Sequence, residues 1–256
     1  MRLAALAAVA GAVALTVGAS DSESVQRPRV KPLVLYENCL TRAERRRAVR
    51  FTTFDRVRLI GVEVGSGPRA VILAHQGGAG DGPWLCSWMR YARQLAGQGY
   101  RVLAFDHRGF GSSGRTTHWS RISRVDWDVL AAIQVMRARG ARQIVLAGAS
   151  LGGAAVLSAA ALTPRPVNGV ISFASPQVFG RVDALAASRV LRVPALFISA
   201  EGDNEFPAEA RALYEACTSP DKQLAIVPGT RHGAPVLRDL PTRQFVDAWI
   251  QERFAS

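Results

Sequence analysis

The chain has 256 residues, 48% hydrophobic and 20% charged, which suits one large globular core and excludes a disordered chain or a small β-module. Its formal net charge of +12 is carried almost wholly by arginine, since the lysines are Lys31 and Lys222 alone. The densest cluster, Arg42, Arg45, Arg46, Arg47 and Arg50, has no interleaved aromatics and reads as a solvated basic face, so no nucleic-acid partner is expected.

In chain order, Met1 and Arg2 make a short positive start and residues 3–17 carry no charge. Val17-Gly18-Ala19 is a small-residue cleavage site before a polar stretch. This predicts a signal peptide over residues 1–19 and export across the cytoplasmic membrane, with no stable membrane insertion after cleavage. The rival is an uncleaved anchor helix, for which residues 3–19 are at the lower limit of length. Residues 20–47 form a flexible or poorly defined leader, in which 41–47 reads as a short basic helix or a loop. Residues 48–256 form one α/β domain.

Within that domain, residues 48–53 and 57–64 alternate as strands around a tight turn, so they pair antiparallel. Residues 70–74 and 101–105 are continuous apolar runs, as in strands buried on both faces. Residues 84–96 have helical spacing ended by Gly97, and 125–139 form an amphipathic helix stopped at Gly140. The run 144–149 is strand-like, and the small residues 154–162 are helical. Strands follow at 170–173, 195–199 and 223–227, and helices at 207–216 and 240–254. The alternation predicts a mostly parallel central sheet with helices on both faces and an N-terminal antiparallel hairpin. Phe173 to Ala195 leaves room for a short segment over 182–190, too little for a lid domain.

Such a sheet builds its site where the strands end. There stand His75-Gln76-Gly77, then Asp106-His107-Arg108-Gly109-Phe110-Gly111-Ser112-Ser113, then Gly148-Ala149-Ser150-Leu151-Gly152, then Glu201-Gly202-Asp203-Asn204, and last Arg231-His232-Gly233. Gly-x-Ser-x-Gly between a strand and a helix is the context of a nucleophile elbow, a turn that holds the serine hydroxyl out at the sheet edge. A serine hydroxyl needs a base, and an imidazole needs a carboxylate to hold its tautomer. Ser150, Asp203 and His232 supply the three in that chain order. His75, His107 and His118 are the other histidines, and Glu201 and Glu205 flank Asp203.

Order and elbow together resemble the α/β-hydrolase superfamily from about Ala48 onward. The resemblance implies a serine hydrolase without a large cap, acting on carboxylic esters, whether small molecules or surface-presented, through an acyl-enzyme. It implies an oxyanion hole from the backbone N–H groups of Leu151 and Gly77. Where the family has His-Gly, this chain has His75-Gln76, so Gln76 is a second candidate donor and also a candidate substrate-binding residue. The Asp106–Ser113 stretch resembles the superfamily's Asp-x-Arg-Gly-x-Gly-x-Ser turn, which is usually structural. Trp84, Trp88 and Phe110 are candidates for the acyl pocket, with core packing the alternative for at least one. No cofactor and no metal are implied. A peptidase, amidase or acyltransferase could use the same triad, and an inactive binding protein of the anionic envelope is the alternative from another class. Cys39, Cys86 and Cys217 allow one disulfide, with the pairing open.

Overall fold

The computed structural model describes residues 33–35, 37–77, 84–118, 121 and 123–255. The expected signal segment and the leader through residue 32 lie outside the described residues. Among the described residues the first element is a short helix, α1 (Arg42–Arg46). Thr41 caps it by accepting from the Glu44 N–H, while the Glu44 side chain accepts from the Thr41 N–H. Strands β1 (Ala48–Thr52), β2 (Arg58–Val64), β3 (Arg69–Ala74), β4 (Arg101–Asp106), β5 (Gln143–Ala149) and β6 (Gly169–Phe173) follow. Helices α2 (Cys86–Gly97), α3 (Val125–Ala138) and α4 (Leu151–Leu162) lie among them. After β6 come a ribbon of β7 (Val178–Phe179) and β8 (Val182–Asp183), then α5 (Ala184–Ser188) and β9 (Ala195–Ala200). The chain closes with α6 (Phe206–Ala216), β10 (Lys222–Val227), a 3₁₀ turn (Ala234–Arg238) and α7 (Leu240–Ala255).

The eight-stranded sheet runs β1-β2-β4-β3-β5-β6-β9-β10. From β4 to β10 every pairing is parallel, whereas β2 is antiparallel to both β1 and β4. The expected hairpin and the mostly parallel sheet are thus both present. Side chains alternate across the strands, so each strand feeds two cores. Ile72 and Leu146 face the layer that contains α3 and α4. Val71, Leu73, Val145 and Ala147 face α2 and α7. Burial on both faces explains why these strands read as unbroken apolar runs. The small ribbon and α5 were not resolved as separate elements by the sequence pattern, because two-residue strands carry no period.

Two tethers hold the region before β1 against the sheet. Cys39 and Cys86 form the disulfide, with Cα atoms 5.8 Å apart, and Cys217 is a buried free thiol. Glu37 lies against the turn after β4. Its carboxylate accepts from Ser112 Oγ at 2.7 Å, and Ser112 N–H donates to Asp106 Oδ2 at 3.0 Å. Gly111 belongs in this turn because its φ is +46° and a Cβ there would lie 2.2 Å from Asp106 Oδ2. Burial first, and the hydrogen bond with Glu37 second, push the Asp106 carboxyl up to about 8.

Folded Asp106 therefore holds a proton that the unfolded chain releases near pH 4. Its contribution to stability is fully present below that pH and is lost as pH rises towards 8, by about 1.4 kcal/mol per pH unit for one proton. In Glu37→Gln the amide donates to Asp106 without needing that proton. Denaturation midpoints at pH 5 and pH 8 should therefore differ less in the variant than in the parent. An unchanged difference would mean that Asp106 keeps its proton by burial alone.

Candidate active site

Ser150 sits where β5 gives way to α4, on a central strand of the sheet. Its backbone is left-handed, with φ 52° and ψ −120°, a costly conformation for a residue with a Cβ. The turn is held by Ser150 N–H donating to Phe173 O at 2.8 Å. The flanking glycines are steric necessities. A Cβ on Gly148 would lie 2.1 Å from Gly152 O, and one on Gly152 would lie 2.4 Å from Ala74 O. Strand, turn and helix approach too closely there for any side chain. Leu151 is the first residue of α4, so its N–H is among those a helix leaves without an intrahelical acceptor.

The loop after β10 carries His232. Its Nδ1–H donates to Asp203 Oδ2 at 2.9 Å. Asp203 is buried at the end of β9, while Glu201, Asn204 and Glu205 around it are exposed. The His232 side chain is 31% exposed and is packed on one side by the Phe206 ring, with centroids 4.3 Å apart. The next residue, Gly233, has φ +67°, and a Cβ there would come within 3.1 Å of Ala149 Cβ. The histidine loop therefore lies directly against the residue before Ser150. Among the described residues, no hydrogen bond joins Ser150 Oγ to the His232 ring. Nδ1 is occupied by Asp203, which leaves Nε2 as the basic nitrogen.

On the loop after β3, Gly77 lies against Leu151, since a Cβ on it would be 2.5 Å from Leu151 Cδ2. The two predicted oxyanion donors are thus neighbours. Gln76 also makes a structural contact. Its side-chain Oε1 accepts the Ala234 N–H at 3.0 Å and so braces this loop against the histidine loop. Trp84 and Phe110 pack edge to face at 5.0 Å, and both rings lie against His75, at 5.9 and 5.2 Å. Trp88 is fully buried and donates from Nε1 to Ala74 O, so it belongs to the core.

The remaining histidines have other surroundings. His75 is fully buried; it donates from Nδ1 to Gln76 O and accepts the His107 N–H on Nε2. Burial and the neighbouring His107 push its pKa well down, so it is a neutral strut. His107 is equally buried, pushed down to about 3 by burial and then by Arg108. His118 is on an exposed loop. Arg108 is the hub of the turn after β4. It bonds Asp128 on α3 at 2.7 Å, Asp55 at 2.9 Å and the Arg121 carbonyl. Sequence reading marked this turn as structural but could not show its partners. Among the described residues no cluster of His, Cys, Asp and Glu is arranged to hold a metal ion, and no helix is long and apolar enough to cross a membrane.

Residues 67–189 match the family model described as serine aminopeptidase, S33. That span includes Ser150 and ends before Asp203 and His232. Among solved structures, the chain is similar to the esterase Pf2001 of Pyrococcus furiosus at 17% identity and a TM-score of 0.65, over 81% of this chain and 88% of that one. It is also similar to the α/β hydrolase GrgF of Penicillium sp. sh18, at 18% identity and TM-score 0.63, over 80% and 97%. A third is the esterase EaEST of Exiguobacterium antarcticum, at 14% identity and TM-score 0.63, over 80% and 98%. These likenesses and the strand order give the chain the α/β-hydrolase fold.

Proposed function

We propose that the protein is a serine hydrolase of the α/β-hydrolase superfamily that cleaves carboxylic esters through an acyl-enzyme. The reading is carried by one observation: a serine held at positive φ between strand and helix, beside a loop whose histidine is bonded to a buried aspartate. In the first step Ser150 Oγ bonds to the ester carbonyl carbon, and its proton passes to His232 Nε2. Asp203 holds the imidazole through Nδ1–H and stabilises the cation that forms. The carbonyl oxygen becomes an oxyanion that accepts from the N–H groups of Leu151 and Gly77. Collapse breaks the bond to the leaving oxygen, which takes the proton from His232 as the alcohol departs. Water then repeats the sequence on the acyl-enzyme, releasing the acid and restoring Ser150. Closure of the Ser150–His232 hydrogen bond belongs to the reactive complex, since such bonds are often long in free enzymes. Trp84 and Phe110 flank the acyl group. The disulfide supports an exported protein, because such bonds persist in oxidising compartments.

A fluorophosphonate probe tests the activated serine. The parent protein should label covalently, and Ser150→Ala and His232→Ala should not. A folded parent that resists labelling would overturn the proposal in favour of an inactive binding protein. The match to the aminopeptidase family model favours one second reading, a peptidase or amidase on the same triad. Aryl esters against aminoacyl anilides of equal size distinguish them, with faster ester turnover expected.

A further inference from the structure

Behind the histidine loop, on the side of α2, lies a cavity of about 340 Å³ between α2, the 3₁₀ turn and α7. It belongs to neither the serine loop nor the Trp84–Phe110 cluster. Three arginines line it, Arg90 on α2, Arg238 at the end of the 3₁₀ turn and Arg243 on α7, and among the described residues no acidic one does. Arg243 is fixed by donating from Nη1 to Leu237 O at 3.3 Å. Arg90 and Arg238 are exposed at the rim, and among the described residues neither has a side-chain partner.

Two described carboxylates near the lining, Asp247 and Asp239, hydrogen-bond neutral donors. Asp247 accepts from Tyr91 Oη at 2.6 Å, Gln94 Nε2 at 2.7 Å and Gln98 Nε2 at 3.1 Å. The polar ends of Tyr91 and Gln94, which also line the cavity, are thereby turned to Asp247. Asp239 accepts from the Thr242 N–H and hydroxyl on Oδ2 and interacts with the charges of Arg231 and Arg243. Ser87 is likewise engaged, donating to Trp84 O. The described lining therefore carries three cationic side chains and no anionic one, with Asp239 and Asp247 placed outside it. Guanidinium groups bind carboxylate and phosphate through paired N–H donors. Ala234, Pro235 and Leu237 add an apolar wall, and the volume is that of a small-molecule site, larger than an inorganic anion fills.

We propose that this cavity is a binding site for a small organic anion, with a carboxylate or phosphate head on the three arginines and an apolar body against the 3₁₀ turn. Ala234 and Pro235 follow His232 by two and three residues, and the Ala234 N–H is the group that Gln76 braces. An occupant would therefore rest on the loop that carries the histidine. The proposal concerns binding and does not depend on the hydrolase reading.

The test uses the full, disulfide-intact protein at constant ionic strength. Benzoate, phenyl phosphate, inorganic phosphate and benzyl alcohol are titrated by calorimetry, with the thermal midpoint followed in parallel. Benzoate or phenyl phosphate should bind saturably at one site and raise the midpoint, as any ligand specific to the folded state does. Which of the two binds more tightly identifies the head group. The double variant Arg90→Gln, Arg238→Gln alters exposed side chains only and should weaken binding at least tenfold with an unchanged midpoint in the absence of ligand. Ser150→Ala should bind as the parent does. Four results would overturn the proposal: no saturable binding of either organic anion, equal binding of benzyl alcohol, inorganic phosphate binding as well as phenyl phosphate, or indifference to the arginine substitutions. Binding lost in Ser150→Ala would place the ligand in the serine site and overturn it equally.

Discussion

Replacing Ser150 by alanine should lower kcat for a simple aryl ester by about 10⁴ to 10⁶, with little change in KM. In the proposed mechanism the substitution removes the attacking oxygen and leaves the pocket and both proposed oxyanion donors in place. It also leaves the turn intact. Alanine has the same Cβ as serine, so the strain of a residue at φ 52° between Gly148 and Gly152 is unchanged. A change confined to kcat is the mark of an interaction made only in the transition state. Asp203→Asn should fall in the same direction by about 10⁴, because an amide can present a donor to Nδ1 and hold the wrong tautomer. Its packing cost should be small, since the two side chains are nearly isosteric. Steady-state rates with p-nitrophenyl acetate, corrected for background hydrolysis, check both. Turnover that survives Ser150→Ala would show that the chemistry lies elsewhere in the molecule.

Arg108→Met should destabilise the fold by about 3–5 kcal/mol at pH 8, the largest stability loss expected of a single side chain outside the site. Arg108 is 2% exposed and Asp128 is fully buried. The guanidinium bonds Asp128 Oδ1 through Nε and both oxygens of Asp55 through Nη1 and Nη2. Methionine fills much of the stem volume, so the loss reflects uncompensated charge more than a cavity. Burial pushes the Asp128 carboxyl up, against the opposing pull of Arg108. Without the guanidinium that carboxyl rises further and takes up a proton in the folded state. A folded-state pKa raised above the unfolded value contributes stability at low pH that is lost as pH rises through it. The cost of Arg108→Met should therefore be smaller at pH 5.5 than at pH 8. Urea denaturation at the two pH values checks the magnitude and the sign. A loss below about 1 kcal/mol at pH 8 would mean that water reaches Asp128 and replaces the arginine.

The periodic elements were legible in the sequence because their causes are local. Continuous apolar runs between glycines become strands buried on both faces, and the spacing in 125–139 becomes α3 to within a residue at its C-terminal end. The elbow was legible for the same reason. Two glycines flanking a serine between strand and helix describe a steric requirement of five consecutive residues, and the close approaches at Gly148 and Gly152 are that requirement in space. The antiparallel hairpin ahead of a mostly parallel sheet also followed from pattern, and the structural cast of the turn at Arg108 from resemblance. Partners distant in the chain did not. Nothing local distinguishes Cys39–Cys86 from the other two pairings, and Asp203 from Glu201 or Glu205 only its burial and its bond to His232. Gln76 looked like a donor beside the serine, yet its oxygen serves Ala234, 158 residues away. Arg90, Arg238 and Arg243 are unremarkable in a chain rich in arginine until α2, the 3₁₀ turn and α7 bring them to one cavity. Periodicity and turn chemistry act over a few residues and are written there. Which loop ends meet depends on how the whole sheet is assembled, and only the tertiary structure decides it.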